Sequence, residues 1–219
     1  MTMLHAQHIT KSYGSLPVLK DVSLEIKKGE VIAIVGASGA GKSTLLHILG
    51  TLDRPDQGQL HIAGQNIRKM NNDRLATFRN SQIGFVFQFH NLLPEFTAKE
   101  NICIPAYIGN RDTREVDQQA DKLMGLLGIT GRSNHAPAAL SGGEQQRTAV
   151  ARALINSPAI VFADEPSGNL DSANAEQLHR LFFHLRDSLN QTFVIVTHNE
   201  TFAQQADRRL EIKDGRFTT

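Results

Sequence analysis

The chain has 219 residues, 40% apolar and 21% charged, with a formal net charge of +1. That is an ordinary globular composition on a chain long enough to bury a substantial interior. It leaves no basic excess for holding nucleic acid or an anionic lipid surface, so neither is expected as a direct partner.

The opening MTMLHAQHIT lacks a basic segment followed by an apolar stretch, so no signal peptide is expected. Residues 4–26 read as two strands around the turn Tyr13-Gly14-Ser15. Val31–Val35 is a continuous apolar run of strand length, the pattern of a parallel strand buried on both faces. It feeds into Gly36-Ala-Ser-Gly-Ala-Gly-Lys-Ser-Thr44, and Gly36 to Ser43 fills the pattern G-x-x-x-x-G-K-[ST] completely. Lys42–Leu49 reads as the helix that follows. Strand, loop and helix in that order separate a phosphate-binding loop from an ordinary strand-to-helix turn. The glycines let successive amides face phosphate oxygens, and the helix adds its positive end. Lys42 is expected on the β- and γ-phosphates and Ser43 on Mg²⁺.

Residues 89–157 read as mostly helical. Thr97-Ala-Lys-Glu100 and Asp112-Thr-Arg-Glu115 are expected capping-box starts, and Pro105 is expected to end or kink the first of these helices. Cys103, the single cysteine, excludes a disulfide framework and sits in an apolar run as a buried, inert residue. Leu140-Ser-Gly-Gly-Glu-Gln-Gln-Arg147 holds a further capping box, Ser141 to Glu144, opening a helix to about Asn156. Two glycines just inside a helix cost ~1 kcal/mol each relative to alanine. A plain cap does not need them, whereas close backbone approach to a ligand does. This is a second anion-binding helix start in a chain that binds one nucleotide through its first.

Ile160–Ala163 is another buried strand, and Asp164 and Glu165 stand at its C-terminal end, where ligands sit on open α/β sheets. Neighbouring strand residues point to opposite sides, which allows the two acids separate tasks. Asp164 suits a metal's coordination shell; Glu165 suits a general base polarising water. Apolar residues at 178, 181, 182, 185 and 189 follow helical spacing, and Phe193–Val196 is a last buried strand. The expected fold is α/β: a P-loop NTPase core with a mostly parallel sheet, an N-terminal antiparallel β subdomain and an inserted α-helical subdomain. Within a single domain over 1–219, residues 1–88 and 158–219 are expected to form the core and 89–157 the helical subdomain.

The P-loop, the Leu140–Arg147 segment and the acidic strand end, in this order, resemble an ABC-type ATPase over essentially the whole chain. That resemblance implies ATP and Mg²⁺, with Gly36, Ser38, Gly39, Ala40, Gly41, Lys42, Ser43 and Thr44 around the phosphates. It implies Tyr13 stacked on adenine, although an exposed turn tyrosine is an equally ordinary reading. It also implies Gln88 at the hinge to the helical subdomain, sharing the metal with Ser43 and Asp164, and His198 on the γ-phosphate beside Glu165. Two copies are expected to pack head to tail around ATP, so that Ser141, Gly142 and Gly143 close on the partner's nucleotide. Gly168-Asn-Leu-Asp171 would then cross that interface. Three positions depart from the family's pattern: Ser167 replaces threonine, Asn199 replaces aspartate, and Thr148 follows Arg147.

Gln88–Asn101 and Glu165–Asp171 together look most like the ATP-binding subunit of the bacterial lipoprotein-releasing system. The wider group includes macrolide- or peptide-export and cell-division ATPases. This implies integral membrane permease partners and a peripheral position at the cytoplasmic face of the inner membrane, reached only through the permease. Phe89, Leu92, Leu93 and Phe96 are expected either to line the permease groove or to pack the helical subdomain. A DNA-repair ATPase with the same head would need a coiled-coil or zinc insertion, for which the chain has neither heptads nor cysteine clusters.

Overall fold

The computed structural model describes residues 1–218. In chain order, β1 (Thr2–Tyr13) and β2 (Leu16–Lys27) precede β3 (Val31–Val35) and α1 (Lys42–Leu49). Then come β4 (Gln57–Ile62), β5 (Gln65–Asn66), α2 (Asn72–Gln82) and β6 (Ile83–Phe87). The helices α3 (Ala98–Ile108), α4 (Thr113–Leu126) and α5 (Gly142–Leu154) lead to β7 (Ile160–Asp164). The chain finishes with α6 (Ser172–Leu189), β8 (Thr192–Val196), α7 (Glu200–Gln205), β9 (Arg208–Lys213) and β10 (Arg216–Phe217).

Two sheets result. The antiparallel one has the order β2-β1-β4-β5. The other has the order β10-β9-β3-β8-β7-β6 and is parallel except for β10. Its central strands are buried on both faces, and alternate residues enter two different cores. Val31, Ala33, Val161, Ala163, Phe193 and Ile195 join α3 to α7 on one side. Ile32, Ile34, Ile160, Phe162, Val194 and Val196 join α1 and the antiparallel sheet on the other. The period of two explains why these strands read as unbroken apolar runs. Fully burying a phenylalanine such as Phe162 or Phe193 contributes roughly 1.5–3 kcal/mol.

Residues 89–157 supply α3, α4 and α5, whose apolar faces are continuous with the core on the helical side of the sheet. Thr97 and Ser141 each form the reciprocal capping box with Glu100 and Glu144. Asp112 differs: its carboxylate accepts from the amides of Arg114 and Glu115, but Glu115 makes no return bond. Two acceptor-only carboxylates repel, so the box reduces to a simple N-cap. Pro105 does not end its helix, which runs on to Ile108. The proline forgoes one bond to Asn101 O a single turn from the end, and its own carbonyl accepts from Asn80 Nδ2 at 2.8 Å.

The C-terminal hairpin seals the glycine loop. Gly215 N donates to Ala40 O at 3.2 Å, and Gly215 O accepts from Lys20 N at 2.8 Å. Among the described residues no helix is long and apolar enough to cross a membrane.

Candidate nucleotide site

The loop after β3 takes its shape from its glycines. Gly36 has φ 150°, and a Cβ there would lie 2.2 Å from Ile212 O, so only glycine fits. Gly39 (φ 78°) and Gly41 (φ 102°) are left-handed, and the space beside Gly39 is open. Ala37, Ser38 and Gly39 are exposed, whereas Ala40 and Lys42 are buried. No side chain among the described residues caps α1, and its first turn has no acid. Its leading amides are therefore free to meet an anion. The Lys42 ammonium donates to Gly36 O at 2.8 Å and Ala37 O at 3.0 Å, which fixes this buried cation inside the curl of the loop.

Asp164 is the last residue of β7 and accepts from Ser43 Oγ at 3.3 Å. The two hard oxygen donors expected on a metal thus converge. Among the described residues no group of three or more His, Cys, Asp or Glu side chains forms a cage. A site of one hydroxyl and one carboxylate suits Mg²⁺, which takes its other ligands from phosphates and water.

Glu165 is separated from Asp164 by a backbone turn, where strand alternation had been expected to do it. Its φ of 46° is left-handed and ends the strand. The Glu165 amide donates to Val196 O at 2.9 Å, which draws it alongside the end of β8. There Glu165 Oε2 accepts from the backbone amide of His198 at 3.1 Å, and Oε1 lies 3.0 Å from His198 Nε2. That second approach has ion-pair distance without hydrogen-bond alignment, leaving the buried Oε1 with no aligned donor. Burial raises the Glu165 pKa above the usual carboxylate range, against the pull of His198 and Lys42. A half-buried carboxylate with a spare acceptor oxygen is chemically suited to take a proton from water.

The other expected residues are placed as follows. Gln88, just after β6, exchanges two bonds of 3.1 Å with Asn169 and reaches neither Ser43 nor Asp164. Tyr13 is 50% exposed, its hydroxyl donates to Asp53 at 2.7 Å, and Lys11 Nζ lies 5.2 Å from its ring centre. Asp171 caps α6, accepting from Asn174 N at 2.9 Å. Ser141 caps α5, and Arg132 holds Glu144 at 2.6 Å and pulls its carboxyl down to about 2. A Cβ on Gly143 would come within 2.9 Å of Asn174, so part of its need for glycine is internal packing. Gly142 meets only an ordinary contact with Leu170, so internal packing does not require that glycine. No hydrogen bond among the described residues joins Ser141–Gly143 to Gly36–Thr44.

The three departures have local explanations. Asn199 caps α7, accepting from Phe202 N at 2.8 Å, a position where asparagine and aspartate serve alike. Thr148 donates to Glu144 O at 2.8 Å inside α5. Ser167 bonds to His179, a buried residue that sequence reasoning missed. Asp53 and Arg132 were missed as well, as was the pairing of Asn169 with Gln88; each acts through a contact 12 or more residues away. Phe89 is 70% exposed, which removes core packing as its role; Leu93 and Phe96 are more than half covered at 43% and 40% exposure, and Leu92 is half-buried.

The profile of the ABC transporter family matches residues 19–168. The lipoprotein-releasing system ATP-binding protein LolD of Cytophaga hutchinsonii is 60% identical over 213 residues, covering 97% of each chain. Its namesake in Bacteroides fragilis is 57% identical over 97% of this chain and 99% of its own. Among solved structures, the ATP-binding cassette MJ0796, dimeric and bound to ADP and Pi, superposes with a TM-score of 0.89 at 38% identity, covering 99% of this chain and 97% of that one. Together with the geometry of the glycine loop and the Asp164–Glu165 turn, these likenesses show that the chain belongs to the ABC transporter family as an ATP-hydrolysing cassette.

Proposed function

We propose that this cassette powers a bacterial lipoprotein-releasing complex from the cytoplasmic face of the inner membrane, attached only through integral permease subunits. Its whole-length likeness to cassettes named for that system carries the assignment. Hydrolysis follows from the site. The loop Gly36–Thr44 and the start of α1 hold the triphosphate, and Tyr13 offers its exposed ring to the base. Ser43 and Asp164 would hold Mg²⁺, with Gln88 joining as its segment moves; the ion neutralises phosphate charge when bound. Glu165 takes the proton of the attacking water as the new P–O bond forms and ADP leaves, while His198 faces the γ-phosphate.

Ser141, Gly142 and Gly143 are the start of a capped helix with no bond to the chain's own glycine loop. They serve the nucleotide of a second copy packed head to tail, with the segment ending at Asp171 crossing the seam. ATP then favours the closed pair and hydrolysis releases it, a shift driven by differential affinity. Exposed Phe89 and Ile108, and a groove of about 380 Å³ lined by Phe85, Phe87, Pro105 and Arg152, offer the permease an apolar seat with a cationic rim.

The test has two parts. Glu165→Gln should bind ATP normally, lose turnover by about 10²–10⁴-fold and accumulate as an ATP-bound dimer in size-exclusion chromatography. Hydrolysis at the parental rate would show that Glu165 is not the base. Co-purification with identified membrane subunits, followed by ATP-dependent release of a lipoprotein from proteoliposomes, tests the system. A cell-division partner with no release would replace the lipoprotein assignment.

A further inference from the structure

We infer that His179 is a positioning residue for hydrolysis, clamping the turn that carries Glu165 to the helix that follows His198. The imidazole projects from α6 and is 7% exposed. Its Nε2 lies 3.0 Å from Ser167 Oγ, two residues beyond Glu165. Its ring packs on Phe202 with centroids 4.6 Å apart and planes tilted by 39°. Phe202 is itself buried, and its amide is bound by Asn199, the residue after His198. One side chain therefore touches both of the short segments that set the Glu165–His198 distance.

The clamp closes a strained unit. Glu165 is held left-handed, with Gly168 N donating to its carbonyl at 3.0 Å, and Ser167 lies inside that turn. Such backbone persists where its surroundings over-determine it. The hydroxyl–imidazole bond supplies one of the few side-chain restraints on the turn, and the Phe202 ring keeps the imidazole from rotating away. Glu165, Ser167, His179 and His198 all line one cavity of about 720 Å³. The charged neighbour of the imidazole is Glu176 on its own helix, and the titratable groups Glu165 and His198 line the same cavity. Burial holds the His179 pKa below the usual histidine range, so the ring stays neutral and offers one donor and one acceptor.

The inference rests on Glu165 and His198 acting at the reacting phosphate. It is tested in the full-length chain by measuring kcat, KM for ATP and thermal midpoint for Ser167→Ala, His179→Phe, their double variant and His179→Gln. His179→Phe keeps an aromatic face on Phe202 and loses the bond; His179→Gln places an amide near the Nε2 position and keeps it. Ser167→Ala and His179→Phe should each lower kcat about 5–10-fold, as expected for one lost hydrogen bond. KM should stay within about twofold, because the residues gripping phosphate are untouched. The double variant should be no slower than either single, and His179→Gln should recover most of the rate. Unchanged kcat, multiplicative losses, or losses that follow the thermal midpoint would overturn the clamp. Glu165→Gln is assayed alongside: if it turns over normally the base is misassigned, whereas the Ser167–His179 coupling is still read from its own four variants.

Discussion

Replacing Ser141 separates two roles that the structure superimposes. As an N-cap, its hydroxyl accepts from Glu144 N at 3.3 Å while Glu144 Oε2 accepts from Ser141 N at 2.8 Å. Ser141→Ala removes the first bond and keeps the second, so the loss should be about 1 kcal/mol. For a chain of this size that lowers the thermal midpoint by about 2–4 °C. Ser141→Asp keeps a simple N-cap, as Asp112 does on α4, but by the same repulsion forfeits the return bond of Glu144. Its midpoint should therefore fall about as far as that of Ser141→Ala, by about 2–4 °C. If Ser141 faces the γ-phosphate of a second copy, however, the new carboxylate meets like charge. At ~4 Å and an effective dielectric near 20, that repulsion is about 4 kcal/mol, roughly a thousandfold. Scanning calorimetry should therefore find Ser141→Asp no less stable than Ser141→Ala, while phosphate release and ATP-driven dimerisation in the Glu165→Gln background collapse. A Ser141→Asp protein that dimerises and hydrolyses ATP like the parent would reduce Ser141 to a helix cap.

Glu165 has a raised pKa in the fold, so its ionised form costs stability once the pH exceeds that value. Glu165→Gln should raise the thermal midpoint at pH 7–8, and the gain should fade on acidification below the ordinary carboxylate value of 4.5. A gain independent of pH would contradict burial of the charge. Glu144 behaves oppositely: lowered from 4.5 to about 2 chiefly by Arg132, it stabilises above 4.5 and loses that contribution as pH falls toward 2. Arg132→Gln should thus lower the midpoint at pH 6 and converge on the parent in acid. At the apolar seat, Ile108→Asp or charge reversal at Glu95 should leave hydrolysis by the isolated cassette unchanged and abolish stimulation by the permease. Equal loss in both assays would argue against docking there.

The buried strands were legible because a parallel strand covered on both faces leaves an unbroken apolar run; Val31–Val35 and Phe193–Val196 are such runs. The glycine loop was legible because backbone curvature and phosphate chemistry both constrain its residue types. Strand β9 was not foreseen: Arg208 and Arg209 open it, and its exposed residues mask the pattern. Gln88 was expected on the metal and is found on Asn169, a partner 81 residues away that no local spacing reveals. The separation of Asp164 from Glu165 was foreseen, but by the wrong device. Pleat geometry was invoked, whereas a left-handed residue does it, and φ at a non-glycine position leaves no mark in composition. His179 stayed hidden because a histidine at helical spacing announces nothing until its ring is seen between Ser167 and Phe202.

The seal between Gly215 and Ala40 joins positions 175 residues apart. During synthesis at ~5–20 residues per second, the hairpin that closes the glycine loop emerges roughly 10–35 s after the loop itself. For most of that interval β3 also lacks both of its sheet neighbours, β8 and β9. The nascent chain therefore carries an intact phosphate-binding sequence with nothing to hold its shape. The closed shape of the glycine loop is therefore complete only when the cassette is nearly finished.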